Sequence, residues 1–120
     1  MKNPEVVIKR AYSQPDINDG YRVLVDRLWP RGVAKGDLAI DEWCKDISPN
    51  PELRKWFGHQ VERFEEFSAQ YKEELRASSA PRQLLSRARS YNKLTLVYAA
   101  KDPKINHATI LKNYLETIDI

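Results

Sequence analysis

The sequence predicts an α/β domain: a small, mainly parallel sheet flanked by helices, in a Rossmann-like three-layer or open sandwich. Three observations carry this reading. Short β-branched runs lie at Val6-Val7-Ile8 and at Tyr21 to Val25; the stretch Leu94 to Ala100 is apolar on both faces; and helix-period patterns fill the intervals beyond residue 40 and beyond residue 106. A strand apolar on both faces suits a parallel sheet covered on each side, so Leu94 to Ala100 is expected at its centre. The length of 120 residues fits one domain, residues 1–120, because a chain of this size buries one adequate core but rarely two.

Val6-Val7-Ile8 opens the sheet, and the turn-forming string Pro15-Asp16-Ile17-Asn18-Asp19-Gly20 leads into the second strand. Ile40, Trp43, Cys44 and Ile47 stand at i, i+3, i+4 and i+7, which predicts a short helix with Asp37 as its cap. Asn50, Pro51 and Gly58 read as the N-cap, first-turn proline and terminal glycine of a helix carrying Leu53, Trp56 and Phe57. Val61, Phe64, Tyr71 and Leu75 mark one face of a longer helix, and Glu62, Arg63, Glu66, Lys72 and Glu73 its solvated face. Ser79 and Pro81 introduce another helix, with Leu84, Leu85 and Ala88 inward and Asn92 closing it. The final helix takes its apolar stripe from Ala108, Leu111, Leu115 and Ile118. The chain has no internal repeat, low-complexity tract or linker.

Composition narrows the function classes. Hydrophobic residues at 42% and charged residues at 31% are ordinary for a globular chain and too apolar for a disordered one. Twenty Lys and Arg against 17 Asp and Glu give +3, mild beside the basic surface of a dedicated duplex binder, so nucleic acid is only weakly supported as a partner. Cys44 is the single cysteine, which excludes an internal disulfide and a cysteine-based metal cluster and suits a reducing, cytoplasmic setting. Met1-Lys2-Asn3-Pro4-Glu5 leads into only a short apolar run, and nothing approaches the roughly 20 apolar residues of a membrane span, so neither secretion nor membrane insertion is expected.

Open α/β sheets bind ligands beyond the carboxyl ends of their strands, where helix N-termini point positive dipoles inward. The first strand exits into Lys9, Arg10 and Tyr12, and the second into Asp26, Arg27, Trp29, Pro30, Arg31 and Gly32. The strand at Leu94 exits into Lys101, Asp102, Asn106 and His107. Asp26 at a strand tip can act as a base, but the stronger reading has it hold an arginine or cap backbone amides. Arg27 and Arg31 around Trp29 can offer planar guanidinium groups to phosphate or carboxylate, or else serve internal pairing while Trp29 fills core. Asn106 can cap the final helix, whose free amides can receive an anion, and His107 in its first turn can move protons near neutral pH or be simply packed.

This strand, loop and helix is superficially similar to phosphatase and rhodanese loops, but those need a nucleophilic cysteine and this loop has none. Cys44 beside Trp43 reads as core packing. His59 has no metal-ligand partner at useful spacing, so no metal site is expected.

The strings RVLVDRLWPRG (Arg22 to Gly32), LRKWFGH (Leu53 to His59), LVYAAKD (Leu96 to Asp102) and NHA (Asn106 to Ala108) make the chain resemble the domain-of-unknown-function family 488, in its short YeaO-like branch, over nearly all 120 residues. The resemblance implies a small bacterial-type cytoplasmic α/β protein of unassigned activity. Longer relatives carry Cys and Glu at the end of the matching strand and Cys-His-Arg where this chain has Asn106-His107-Ala108, so only the histidine is shared; the departure weakens any reaction inferred from them and leaves the expected pocket position unchanged.

Three functions stay open. One is a small hydrolase or transferase acting on an anionic, phosphate-bearing substrate, with Asp26 and His107 moving protons and Arg10, Arg27, Trp29, Arg31, Lys101, Asp102 and Asn106 binding. Another is a non-catalytic protein gripping a nucleotide, nucleic acid or metabolite, with Trp29, Trp56 or Tyr98 stacking. The third is an interaction protein whose aromatics form a subunit interface. The sequence names no cofactor and no oligomeric state.

Overall fold

The computed structural model describes residues 3–118; Met1 and Lys2, on which the N-terminal reading partly rests, lie outside them. Four strands, β1 (Glu5–Arg10), β2 (Tyr21–Leu24), β3 (Glu42–Trp43) and β4 (Lys93–Tyr98), form one sheet in the order β1-β4-β2-β3, and every pairing is parallel. β4 therefore lies inside the sheet, and its Leu94 to Val97 are fully buried, as the two-faced apolar run requires.

Alternation along the strands splits the core in two. Val6, Val23, Leu94, Leu96 and Tyr98 point to the face covered by four helices: α2 (Pro51–Phe57), α3 (Phe64–Arg76), α4 (Ala80–Ala88) and α5 (His107–Glu116). Leu24 and Val97 point to the opposite face, where α1 (Lys35–Leu38) and its flanking loops supply Leu38, Trp29, Val33 and Ile40. The result is a parallel sheet between a thick helical layer and a thin one.

Local chemistry accounts for the helix ends. The Asn50 side chain accepts from the Leu53 amide at 2.8 Å, Pro51 occupies the first turn of α2, and Gly58 ends it at φ 51°, as its spacing predicts. α3 begins only at Phe64 and buries Phe67, Tyr71 and Leu75; Val61 sits ahead of it in a 3-10 turn, largely exposed. α4 buries Leu84, Leu85 and Ala88, and a 3-10 turn then closes at Asn92 with φ 62°. Asn106 caps α5 by accepting from the Thr109 amide at 2.9 Å. Ala108, Leu111 and Leu115 face inward, and Ile118 packs just beyond the helix end.

The helix expected over Ile40 to Ile47 is not formed. The helical turn lies earlier, with Asp37 inside α1 rather than capping a later helix, and Ala39 breaks it at φ 52°. Glu42 and Trp43 then pair with Val23 and Leu24, and Lys45–Ile47 form a 3-10 turn. Sheet pairing with β2 overrides a helix-like spacing too short to stabilise a helix alone. Cys44 is buried in the main core, and burial pushes its thiol up to about 11, which fits packing rather than nucleophilic chemistry.

Candidate functional site

The turns leaving β2 and β4 meet. Asp26, one residue past Val25, accepts a hydrogen bond from the Ala99 amide at 2.9 Å through Oδ2, tying the two strand ends together. Its Oδ1 lies 3.1 Å from Nε2 of His107, which also sits 3.1 Å from the Val25 carbonyl oxygen. The Val25 carbonyl can only accept, so Nε2 carries the proton of that hydrogen bond, while the buried Asp26 Oδ1 has no hydrogen-bond partner among the described residues. The buried Tyr71 ring meets the imidazole edge-on, and its hydroxyl donates to the Ile47 carbonyl. Asp26 thus caps an amide and contacts a histidine, and no arginine pairs with it among the described residues.

Asp26, Ala99 and His107 border a cavity of about 730 Å³ at the carboxyl edge of the sheet, within the range of about 300–1,000 Å³ typical of small-molecule sites. The β2 exit contributes Asp26, Arg27, Trp29 and Arg31, and the β4 exit contributes Lys101, Asp102, Asn106 and His107. Their individual states differ. The Arg27 guanidinium reaches the Pro49 carbonyl only at 3.5 Å, while its buried Nε has no hydrogen-bond partner among the described residues. Trp29 donates from its indole nitrogen to the Val33 carbonyl at 2.7 Å and meets Trp43 edge-on, so it is fixed within its own loop. Arg31 and Lys101 are exposed.

Asp102 accepts from the Lys104 and Ile105 amides, and these bonds hold its carboxyl below the ordinary value. Asn106 spends its side chain on the cap and on the Asp102 carbonyl. Arg10 is not brought into the cavity wall: its Nε donates to the Ala100 carbonyl at 3.0 Å, and its guanidinium lies over the Tyr12 ring.

Part of the wall comes from residues the sequence reading did not place there. Arg54 and Phe57 on α2, His59 beyond it and Phe67 on α3 all face the cavity. Phe57 and Phe67 stack at 4.2 Å between centroids, making an apolar floor. His59 adopts φ 60°, uncommon for a non-glycine residue, directly after the positive-φ Gly58. The Gly58-His59 pair was the one local signal available. Among the described residues, no group of three His, Cys, Asp or Glu side chains is arranged to hold a metal ion, and no helix is long and apolar enough to cross a membrane.

Net charge in the cavity is positive. Arg27, Arg31, Arg54 and Lys101 stand against Asp26 and Asp102, each of which has one carboxylate oxygen bonded to backbone amides, while the buried Asp26 Oδ1 has no hydrogen-bond partner among the described residues. The arrangement can receive an anionic group at one end and apolar surface at the other.

Comparison with known proteins matches residues 5–118 to the family model described as "Inactive DUF488-N3 subclade". The chain is similar to "Uncharacterized protein YeaO" of Escherichia coli (strain K12), 44% identical over 110 residues, covering 92% of this chain and 96% of that one. It is also 41% identical over 115 residues to "Uncharacterized protein Mb3100c" of Mycobacterium bovis and to "Uncharacterized protein Rv3073c" of Mycobacterium tuberculosis, covering 96% of this chain and 97% of each relative. No solved structure matches the chain. With the family model spanning almost its whole length and the YeaO likeness beside it, the chain belongs to the DUF488 family, in its YeaO-like part.

Proposed function

We propose that the strand-end cavity binds a small, phosphate-bearing organic anion and holds it without turnover. The observation that carries this reading is Arg27, which lines the cavity and whose buried Nε has no hydrogen-bond partner among the described residues. A buried donor left unmade costs about 1–3 kcal/mol, and a ligand oxygen relieves that cost. Arg54, Arg31 and Lys101 add positive charge around it and outnumber the two carboxylates of the wall, each of which has one oxygen accepting backbone amides. The absence of any thiol from the β4–α5 loop and the word "inactive" in the family description favour binding over catalysis.

Isothermal titration with ribose 5-phosphate and with inorganic phosphate tests this, with phosphorus NMR following the ligand over hours. Binding of the sugar phosphate is expected to weaken at least roughly tenfold in Arg27→Met, the loss of one charge-assisted contact, and the ligand is expected to stay intact. No binding of either compound, or equal affinity in Arg27→Met, contradicts the proposal.

The 3.1 Å approach of His107 Nε2 to Asp26 supports a second reading, a hydrolase or transferase that uses this pair for proton transfer. Consumption of a phosphorylated substrate that disappears in both Asp26→Ala and His107→Ala would establish it.

A further inference from the structure

Resting on the anion-binding reading, we infer that the cavity's ligand is a free nucleoside monophosphate, with its base stacked on Tyr12 and its phosphate directed to the Arg27 end. Tyr12 is a large side chain left 49% exposed at the cavity wall, yet it is held at both ends. Its hydroxyl donates to the Arg31 carbonyl at 2.9 Å, and the backbone on either side is fixed by bonds from the Ala11 amide to the Tyr98 carbonyl and from the Ser13 amide to the Arg10 carbonyl. The Arg10 guanidinium carbon lies 5.1 Å from the ring centroid, and Arg10 is itself anchored on the Ala100 carbonyl. A cation therefore backs one face of an immobilised aromatic ring. With Tyr12 half exposed at the wall, the ring costs little to present to a second flat group.

The Trp and Phe rings and Tyr98 do not offer such a surface. Trp29 is bound to Val33 and packed with Trp43, and Phe57 and Phe67 are buried against each other. Tyr98 is 2% exposed, and Trp56 lies outside the cavity wall with Arg63 over its ring. The stacking residues named from sequence are thus spent or misplaced, and Tyr12 takes that role. An inorganic anion fills little of a cavity of about 730 Å³, whereas a planar base joined through a sugar to phosphate meets both Tyr12 and the arginines. Arg10 enters as a positioning residue acting through Tyr12.

Titration calorimetry with AMP, ribose 5-phosphate and a 5′-phosphorylated oligonucleotide, on the wild type, Tyr12→Phe and Tyr12→Ala, tests the inference. AMP is expected to bind the wild type about tenfold or more tightly than ribose 5-phosphate, the scale of one base–aromatic stack. Tyr12→Ala is expected to erase that margin, AMP and ribose 5-phosphate then binding alike, and Tyr12→Phe to keep most of it. Equal affinities for AMP and ribose 5-phosphate, or an AMP advantage that survives Tyr12→Ala, overturn the nucleotide assignment and leave anion binding standing. An oligonucleotide that binds more tightly than AMP and weakens steeply with salt overturns the free-nucleotide assignment in favour of a strand end. Failure of AMP and ribose 5-phosphate alike removes the anion-binding reading and this inference with it.

Discussion

Asp26 shows how one side chain can serve fold and site together. It accepts the Ala99 amide and faces His107, so it fastens the ends of β2 and β4 where the cavity opens. Asp26→Ala leaves that amide without its acceptor, and a loss of roughly 1–3 kcal/mol in urea-denaturation stability is expected. A stability unchanged within a few tenths of a kcal/mol would show that this hydrogen bond does not hold the strand ends together. Much of this residue-level picture is legible in the sequence, because Asp26, Arg27, Asn106 and His107 lie within a few residues of two recognisable strands. Arg54, His59 and Phe67 are not, because their approach depends on how α2 and α3 pack across the sheet. No local pattern encodes that packing.

Among the elements, the start of β2 is tightly constrained. Gly20 adopts φ 69°, and a Cβ placed there would stand 2.3 Å from the Lys93 carbonyl oxygen at the start of β4. Gly20→Ala is expected to cost about 1–3 kcal/mol from backbone strain, with more from the clash, and to lower the thermal midpoint measured by circular dichroism. An unchanged midpoint would mean that the two strands separate there easily. The turn string Pro15 to Gly20 was readable because its residues demand a turn by themselves. β3 was not, since Ile40, Trp43, Cys44 and Ile47 carry a helical spacing, while what fixes Glu42 and Trp43 is pairing with a strand some twenty residues away. Capped helices such as α2 and α5 were legible for the opposite reason: Asn50 and Asn106 satisfy amides within three residues of themselves.

At the scale of the molecule, two ionic clusters stitch the sheet. Asp19 meets Lys9 and the buried Arg22, while Arg22 also donates to the Leu38 and Ala39 carbonyls. Glu42 receives Arg87 through two nitrogens and the Tyr21 hydroxyl. Burial works to raise the Asp19 carboxyl, but hydrogen bonds from the Asp16 amide, Lys9 and Arg22 outweigh it and hold the group below its usual value. The same balance, set by Arg87 and Tyr21 against burial, lowers Glu42.

A carboxyl lowered in the folded state stabilises fully above its unfolded value, about 3.9 for Asp, and that stabilisation is lost as pH falls through the lower folded value. Stability measured from pH 6 downward is therefore expected to decline with acid, and Asp19→Asn to be less stable at pH 6 with a shallower decline. A decline as steep as that of the wild type would remove Asp19 from the account.

The central claim is that Arg27 waits for an anion, and the Nε–Hε resonance of Arg27 in nitrogen-15 labelled protein reads that donor directly. Adding ribose 5-phosphate is expected to shift this resonance downfield to saturation, together with the backbone amides of residues 99–107, while neutral ribose leaves them in place. A resonance that does not move at high ligand concentration, or that moves equally with ribose, contradicts the account.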